Sequence, residues 1–256
     1  MLRQLAATAL LLATLPVQAI VMRDDVPRED YRCDEACAGP TALFHLGNRR
    51  GGGAGTLIAP RWVLTAAHVA EHVEVGDTVS IGDDEFEVAQ IALHPQAAQR
   101  DGFVDAALVQ LSAPSEVIPA AINGSSEEAG KAVAFIGAGA PGDGRQGLGR
   151  FDGVVRRAGN RIEETRDHWL VFTFDAPDSE STLADEGISG PGDSGGPAFL
   201  RDVSGYCVAG ISSWQDNDGQ EGVYGVREFY VRTASIAGWI SETLTAEDAT
   251  VATCEP

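Results

Sequence analysis

Basic residues are scarce in this chain of 256 residues, which has 18 Lys and Arg against 38 Asp and Glu and a formal net charge of −20. Nucleic acids and anionic membrane surfaces attract proteins through positive charge. The scarcity therefore argues against both as partners, and we expect no nucleic acid and no membrane once the N-terminal segment is removed.

Long apolar runs are also missing, apart from Leu5 to Val17 near the N-terminus. This run follows Arg3, is short for a membrane span, and leads into Val17-Gln18-Ala19, which is typical of a signal-peptide cleavage site. We therefore predict that residues 1–19 are a signal peptide. The mature protein, residues 20–256, is then expected to be secreted or periplasmic.

Cysteine is limited to Cys33, Cys37, Cys207 and Cys254. In an oxidising compartment these four form at most two disulfides, and sequence alone permits three pairings. We favour Cys33 with Cys37 and Cys207 with Cys254. The spacings do not fit a zinc site, so we predict no metal and no cofactor.

Long helical patterns are rare, whereas Gly (30) and Pro (12) are plentiful and separate short apolar runs. This pattern is typical of an all-β fold with tight turns. Residues 112–130 separate two sets of predicted strands. The first set includes Trp62–Thr65 and Thr78–Ile81, and the last strand of the second set is Gly222–Val226. The tail from 228 to 243 has helical spacing and predicts a terminal helix.

The strongest local motif is Gly190-Pro191-Gly192-Asp193-Ser194-Gly195-Gly196-Pro197, a serine in a glycine-rich turn before an apolar run. Glycine lets backbone amides approach a substrate closely, so the amides of Gly192 and Ser194 are candidates for an oxyanion hole. Read alone, the stretch is equally compatible with an ordinary hairpin.

Two further blocks supply the partners that such a serine needs. Leu64-Thr65-Ala66-Ala67-His68 places a histidine at the end of an apolar run, and Asp105-Ala106-Ala107-Leu108 places a carboxylate at the start of one. A buried carboxylate requires a partner, and a histidine N–H is a suitable one.

These three blocks, in this order, resemble the trypsin-like serine protease family from about residue 42 to Ile240. The resemblance implies two packed six-stranded antiparallel β-barrels of the chymotrypsin type with a C-terminal α-helix, divided here into residues 20–120 and 121–256. It also implies a catalytic triad of His68, Asp105 and Ser194, in which the serine attacks a peptide bond. A protein or peptide substrate and a monomer are the corresponding expectations for partners.

Two other motifs compete with this interpretation. Gly192-Asp193-Ser194-Gly195-Gly196 fits the G-x-S-x-G elbow of lipases, but that fold needs a histidine after the serine, and all five histidines precede Ser194. His68-Val69-Ala70-Glu71-His72 fits the zinc motif H-x-x-E-H, which leaves the Asp105 and Ser194 blocks unexplained.

The predicted substrate pocket departs from the family pattern. The resemblance places Ile188 at the pocket floor, Ser213, Trp214 and Gln215 along the substrate-binding strand, and Gly222 on the far wall. Ile188 offers no charge to a substrate Lys or Arg, so we expect a non-basic preference at P1, the residue before the cleaved bond.

Cleavage after Ala19 would give a new N-terminus at Ile20-Val21. In the trypsin-like family that the chain resembles, the new N-terminal amine pairs with the aspartate that precedes the catalytic serine. The resemblance therefore predicts that Ile20 activates the enzyme by pairing with Asp193. The alternative to an enzyme is a binding module on a protease fold whose catalysis has lapsed.

Overall fold

The computed structural model describes residues 20–46, 49–99, 102–139, 141–201 and 203–254. The predicted signal peptide, residues 1–19, lies outside the described residues. Strands dominate the described chain, and three α-helices and one 3-10 helix complete it.

The strands are Val21–Met22 (β1), Thr41–Leu46 (β2), Arg49–Ala59 (β3), Trp62–Thr65 (β4), Thr78–Ile81 (β5), Asp84–Leu93 (β6), Ala107–Leu111 (β7), Ala121–Asn123 (β8), Ala132–Gly137 (β9), Gly142–Asp143 (β10), Gly147–Leu148 (β11), Arg156–Arg161 (β12), Glu164–Arg166 (β13), Trp169–Thr173 (β14), Gly187–Ile188 (β15), Pro197–Leu200 (β16), Cys207–Asp216 (β17), Arg227–Arg232 (β18) and Thr253–Cys254 (β19). The helices are Glu35–Ala38 (α1), Ala67–Ala70 (α2) and Thr233–Ala246 (α3), and the 3-10 helix is Arg28–Tyr31.

The first half of the chain forms a closed barrel with the strand order β2-β3-β4-β7-β6-β5. Closure removes the exposed strand edges that an open sheet would present. Apolar side chains fill the barrel, and among them Phe44, Leu57, Leu64, Val79 and Leu108 are almost wholly buried. Removing this apolar surface from water is the main force that holds the barrel together.

The second half forms a curled sheet with the order β12-β9-β16-β17-β18-β14-β13, to which β8 and β19 are added beside β17. The end strand β12 approaches β14, near the other end of the sheet, where the Asn160 side-chain amide donates to the Thr173 carbonyl at 3.0 Å. The same amide donates to the Gly187 carbonyl in β15 at 3.1 Å. The predicted second barrel is therefore incompletely closed, with a side chain bridging the seam.

The chain start packs against this second half. Strand β1 lies between β10 and β15, with Val21 paired to both Gly142 and Ile188. Ile20, Met22 and Tyr31 join the apolar core of the second sheet. Residues 20–31 thus contact the second half, although the sequence-based division assigns them to the first, and the division at residue 120 stays a prediction.

Two elements near the C-terminus differ from the sequence prediction. Gly222–Val226 is a loop, and the strand that follows β17 is β18, which begins five residues later at Arg227. The predicted helix begins at Thr233, because Phe229, Tyr230 and Val231 are strand-forming residues that pair with β17.

The favoured disulfide pairing is confirmed, with Cys33 joined to Cys37 and Cys207 to Cys254. The second bond ties β19 to the start of β17, and β8 lies between these strands. Within the described ranges, no helix has the length and apolar character needed to cross a membrane.

Candidate active site

Strand pairing brings His68 and Asp105 together. Strands β4 and β7 are neighbours in register, with Thr65 opposite Ala107. His68 lies three residues after Thr65, in the short helix α2, and Asp105 lies two residues before Ala107. Both side chains therefore emerge at the same end of the barrel.

The contact between these two residues uses both carboxylate oxygens. The His68 backbone amide donates to Asp105 Oδ1 at 2.9 Å, and His68 Nδ1 lies 2.7 Å from Asp105 Oδ2. Because an ionised carboxylate only accepts hydrogen bonds, Nδ1 carries the proton and Nε2 is left as the basic nitrogen. The imidazole is 40% exposed, so Nε2 is open to a substrate.

Asp105 also receives a hydrogen bond from the second half of the molecule. Ser213, in β17, donates from Oγ to Asp105 Oδ2 at 2.5 Å. Burial raises the pKa of Asp105, but the hydrogen bonds and charge of His68 and the Ser213 hydroxyl outweigh it, and the net pKa lies below its ordinary value. The carboxylate thus stays ionised beside the imidazole.

Ser194 lies in the turn between β15 and β16, where backbone conformation depends on glycine. Gly192 and Gly195 have positive φ angles of 101° and 79°. A side chain on Gly195 would collide with Thr65 Oγ1 and the Ala66 amide. The turn therefore packs in direct contact with the segment that leads to His68. The Ser194 carbonyl accepts from the Ala54 amide at 2.7 Å, which fixes the turn to β3.

The amides of Gly192 and Ser194 have no hydrogen-bond acceptor among the residues that the structure describes. Two unoccupied amides beside a serine are the donor set that stabilises the oxyanion of an acyl-transfer reaction. No hydrogen bond joins His68 Nε2 to Ser194 Oγ across the same described part. Such catalytic hydrogen bonds are often long before substrate binds.

A cavity of about 280 Å³ opens beside Ser194. One wall is Ser189 to Pro191, and the other is Ser212 to Gln215. Trp214 is 45% exposed and stacks on Phe229, with ring centroids 3.9 Å apart. The cavity therefore opens between two backbone segments, next to the candidate nucleophile.

Two predicted pocket residues lie elsewhere. Ile188 is fully buried and packs with Val21, Phe174 and Val226, and it does not line the cavity. Gly222 is likewise outside the lining and sits against Leu148. The physical reason is that Ile188 in β15 pairs with β1, and that β18 rather than the Gly222 loop pairs with β17, the strand predicted to bind substrate.

The residue that sequence reasoning missed is Glu228. It lies directly opposite Gln215 in the β17–β18 pairing and is 1% exposed. Burial raises its pKa to about 7, although hydrogen bonds from Ser189 and Gln215 counteract the rise. The apolar stretch Phe229-Tyr230-Val231, read as a strand, was the signal that would have placed Glu228 beside the pocket.

Ile20 and Asp193 are both buried, and Asp193 lies in the turn that carries Ser194. Ile20 is fully buried, and the next residue, Val21, pairs with Ile188, five residues before Asp193. The Asp193 carboxylate accepts from the amides of Gly190 (3.1 Å) and Gly139 (3.5 Å). Its burial raises its pKa well above the ordinary value, against the effect of these hydrogen bonds.

The structure does not bring the three residues of the zinc motif, His68, Glu71 and His72, together. His68 turns to Asp105, whereas Glu71 and His72 are exposed beyond the end of α2. In the described parts of the chain, no group of three or more His, Cys, Asp or Glu side chains is arranged to hold a metal ion.

Comparison with known proteins places these features in context. Residues 40–240 match the family model described as Trypsin. An uncharacterized peptidase of Corynebacterium glutamicum strain R is 27% identical over 245 residues, covering 92% of this chain and 77% of its own length. The protein masquerade of Drosophila melanogaster is 28% identical over 225 residues, covering 75% of this chain and 20% of its own.

A solved structure shares the fold. Neuropsin, a serine protease expressed in the limbic system of mouse brain, superimposes with a TM-score of 0.65 at 20% identity. The match covers 83% of this chain and 97% of that protein.

Proposed function

Because the chain belongs to the trypsin family, we propose that it is a serine endopeptidase that cleaves peptide bonds through an acyl-enzyme intermediate. Ser194 Oγ attacks the scissile carbonyl, and His68 Nε2 takes its proton and returns it to the leaving amine. Water then releases the acyl group by the same route in reverse. Asp105 orients the imidazole and stabilises the imidazolium.

The observation that carries this proposal is the hydrogen-bond chain from Ser213 through Asp105 to His68. Ser213 and Asp105 are joined at 2.5 Å, and Asp105 and His68 at 2.7 Å. The chain fixes the imidazole tautomer and leaves Nε2 basic, which is the state a general base requires. The amides of Gly192 and Ser194 are the donors proposed for the oxyanion.

The substrate peptide is proposed to bind as an extra strand beside Ser213 to Gln215. Backbone pairing of this kind gives affinity that does not depend on sequence, and the cavity then selects the P1 side chain. We keep the non-basic P1 preference as part of the proposal, although Ile188 no longer supplies its reason.

The direct test is covalent labelling of the mature protein with a fluorophosphonate, followed by mass mapping of the adduct. We expect one adduct, on Ser194, and none in Ser194→Ala. Ser204→Ala, at an exposed serine in the loop before β17, is the matched control and should label normally. Folded mature protein that does not label would contradict the proposal and favour a lapsed binding module.

We also propose that the enzyme is secreted or periplasmic and is activated when the chain is cut before Ile20. The new ammonium group would neutralise the buried Asp193 carboxylate. In support, Ile20 is fully buried, and the next residue, Val21, pairs with Ile188, five residues before Asp193. An uncompensated charge in the interior is costly, so this pairing would hold the Gly192 to Ser194 turn in place.

One added residue before Ile20 tests the activation. Peptide hydrolysis should fall about a hundredfold, since a buried charge that loses its partner costs about 3 kcal/mol. A protease-removable extension is the control, because its removal should restore activity. Equal activity with and without the added residue would overturn the activation step while leaving the peptidase proposal intact.

A further inference from the structure

The cavity beside Ser194 has a buried acidic group behind it. Three hydrogen bonds reach the Glu228 carboxylate: from Ser189 Oγ at 2.6 Å, from the Ser189 amide at 3.0 Å, and from Gln215 Nε2 at 2.7 Å. No Arg, Lys or His forms an ion pair with Glu228 in the portion of the chain described. The carboxylate is therefore a strong acceptor for a cation that can reach it.

Gln215 stands between this carboxylate and the cavity. Its side-chain amide donates to Glu228 Oε1 and also to the Ser189 carbonyl, at 2.8 Å, so it reaches across from one cavity wall to the other. Both N–H groups of the Gln215 side chain donate a hydrogen bond. Because both partners are acceptors, the atom that faces them is the amide nitrogen and not the amide oxygen. Gln215 and Ser189 line the cavity, whereas Glu228 does not.

We propose that Gln215 is a specificity-determining residue that closes the pocket above Glu228, so that the enzyme cleaves after small uncharged P1 side chains. This inference rests on the proposed peptidase function. A Lys or Arg side chain reaches Glu228 only by displacing the Gln215 amide, which leaves the Ser189 carbonyl without a donor. Leaving a buried polar group unpaired weakens binding by about fivefold to a hundredfold, enough to select against the basic side chain.

The proposal gives Glu228 a latent role. Without the Gln215 side chain, the cavity would extend to the carboxylate, and a P1 ammonium group would find a buried partner of opposite charge. The substitution Gln215→Gly should therefore convert a preference for small side chains into one that accepts lysine.

Peptide substrates that differ only at P1, carrying Ala, Val, Phe, Lys or Arg, measure this effect. For the native enzyme we expect kcat/KM for Ala to exceed that for Lys at least about tenfold, which corresponds to about 1.4 kcal/mol. In Gln215→Gly, the Lys-to-Ala ratio should rise at least about tenfold. Adding Glu228→Gln to that variant should abolish the gain with Lys while cleavage after Ala persists.

The matched control is Gln220→Gly, the same exchange at an exposed glutamine in the following loop. Its P1 preference should equal that of the native enzyme. A native enzyme that prefers Lys, or a Gln215→Gly variant with an unchanged ratio, would overturn the proposal.

A binding measurement separates this inference from the peptidase proposal. In the Ser194→Ala background, calorimetry with benzamidine, an aromatic amidinium cation, should detect binding only when Gln215→Gly is present. Glu228→Gln should abolish that binding. Benzamidine binding to protein that retains Gln215 would refute the proposal that Gln215 shields Glu228. If benzamidine binds only in the Gln215→Gly variant but the enzyme with Ser194 hydrolyses no peptide, only the peptidase proposal is refuted.

Discussion

Asp105 accepts hydrogen bonds from both halves of the molecule. It accepts from His68, which belongs to the first barrel, and from Ser213, which belongs to the second sheet. Its ionised form depends on these partners, because burial alone would raise its pKa. The position of the imidazole is thus sensitive to a residue in the other half of the chain.

We predict that Ser213→Ala lowers kcat/KM about tenfold, since a hydrogen bond to a charged group contributes about 1.5–3 kcal/mol and part of this orients His68. Steady-state kinetics with a peptide substrate measure the loss. Ser213→Thr retains the hydroxyl and should recover most of the activity. An alanine variant with native kinetics would show that Asp105 is held well enough by His68 alone.

Glu228 makes stability depend on pH. Its pKa is about 7 in the folded protein, above its ordinary value of 4.5, so between these values the folded state binds more protons than the unfolded state. The free energy of unfolding therefore falls as pH rises through this window. Between pH 5 and pH 8 the contribution of Glu228 to the free energy of unfolding falls by about 2–3 kcal/mol, at 1.36 kcal/mol per pKa unit.

Guanidinium unfolding of Ser194→Ala protein at about pH 5 and pH 8, the two ends of this range, tests the prediction without autolysis. The decrease in stability should be smaller when Glu228→Gln is added. Glu186, whose pKa burial also raises, contributes equally to both proteins and cancels in the comparison. Asp193 cancels for the greater part, because burial is the largest cause of its raised pKa and the charge of Glu228 is a smaller one. An equal decrease in the two proteins would contradict the assignment to Glu228.

At the level of elements, the sequence was informative where apolar runs and turn residues alternate. Trp62–Thr65 and Thr78–Ile81 were predicted as strands with the bounds that the structure has. The fold class and the family resemblance are confirmed. The motif order also grouped His68 with Asp105, which the β4–β7 register places in contact.

Strand β18 shows where sequence reasoning was insufficient. Gly222-Val223-Tyr224 and Glu228-Phe229-Tyr230 both end in an apolar residue and a tyrosine, and local pattern did not distinguish them. The distinction depends on pairing with β17, which places Trp214 opposite Phe229 and Gln215 opposite Glu228. Because this register is a long-range property, the pocket carboxylate was not apparent from the sequence.

At the scale of the whole molecule, the net charge of −20 produces self-repulsion in the compact state. We predict that the melting temperature rises with NaCl, because going from about 10 mM to about 1 M shortens the screening length from about 30 Å to about 3 Å. Differential scanning calorimetry of the Ser194→Ala protein measures the change.

Choline chloride at equal ionic strength should stabilise the protein to the same degree, since screening does not depend on the identity of the cation. A melting temperature that does not rise with either salt would mean that the acidic side chains are neutralised locally. Paired groups such as Arg232 with Glu128 and Arg156 with Asp152 already show local neutralisation at a few positions.

The pairing of β1 also sets an order of events during synthesis. Among the described residues, the strand partners of β1 are β10 and β15, which lie in the second half. β1 is therefore made early and is among the last of the described strands to dock. A chain emerging from the ribosome can complete the barrel of residues 41–111 long before residues 187–188 exist. Residues 21–22 therefore have no strand partner to cover them until residues 142–143 and 187–188 have been made.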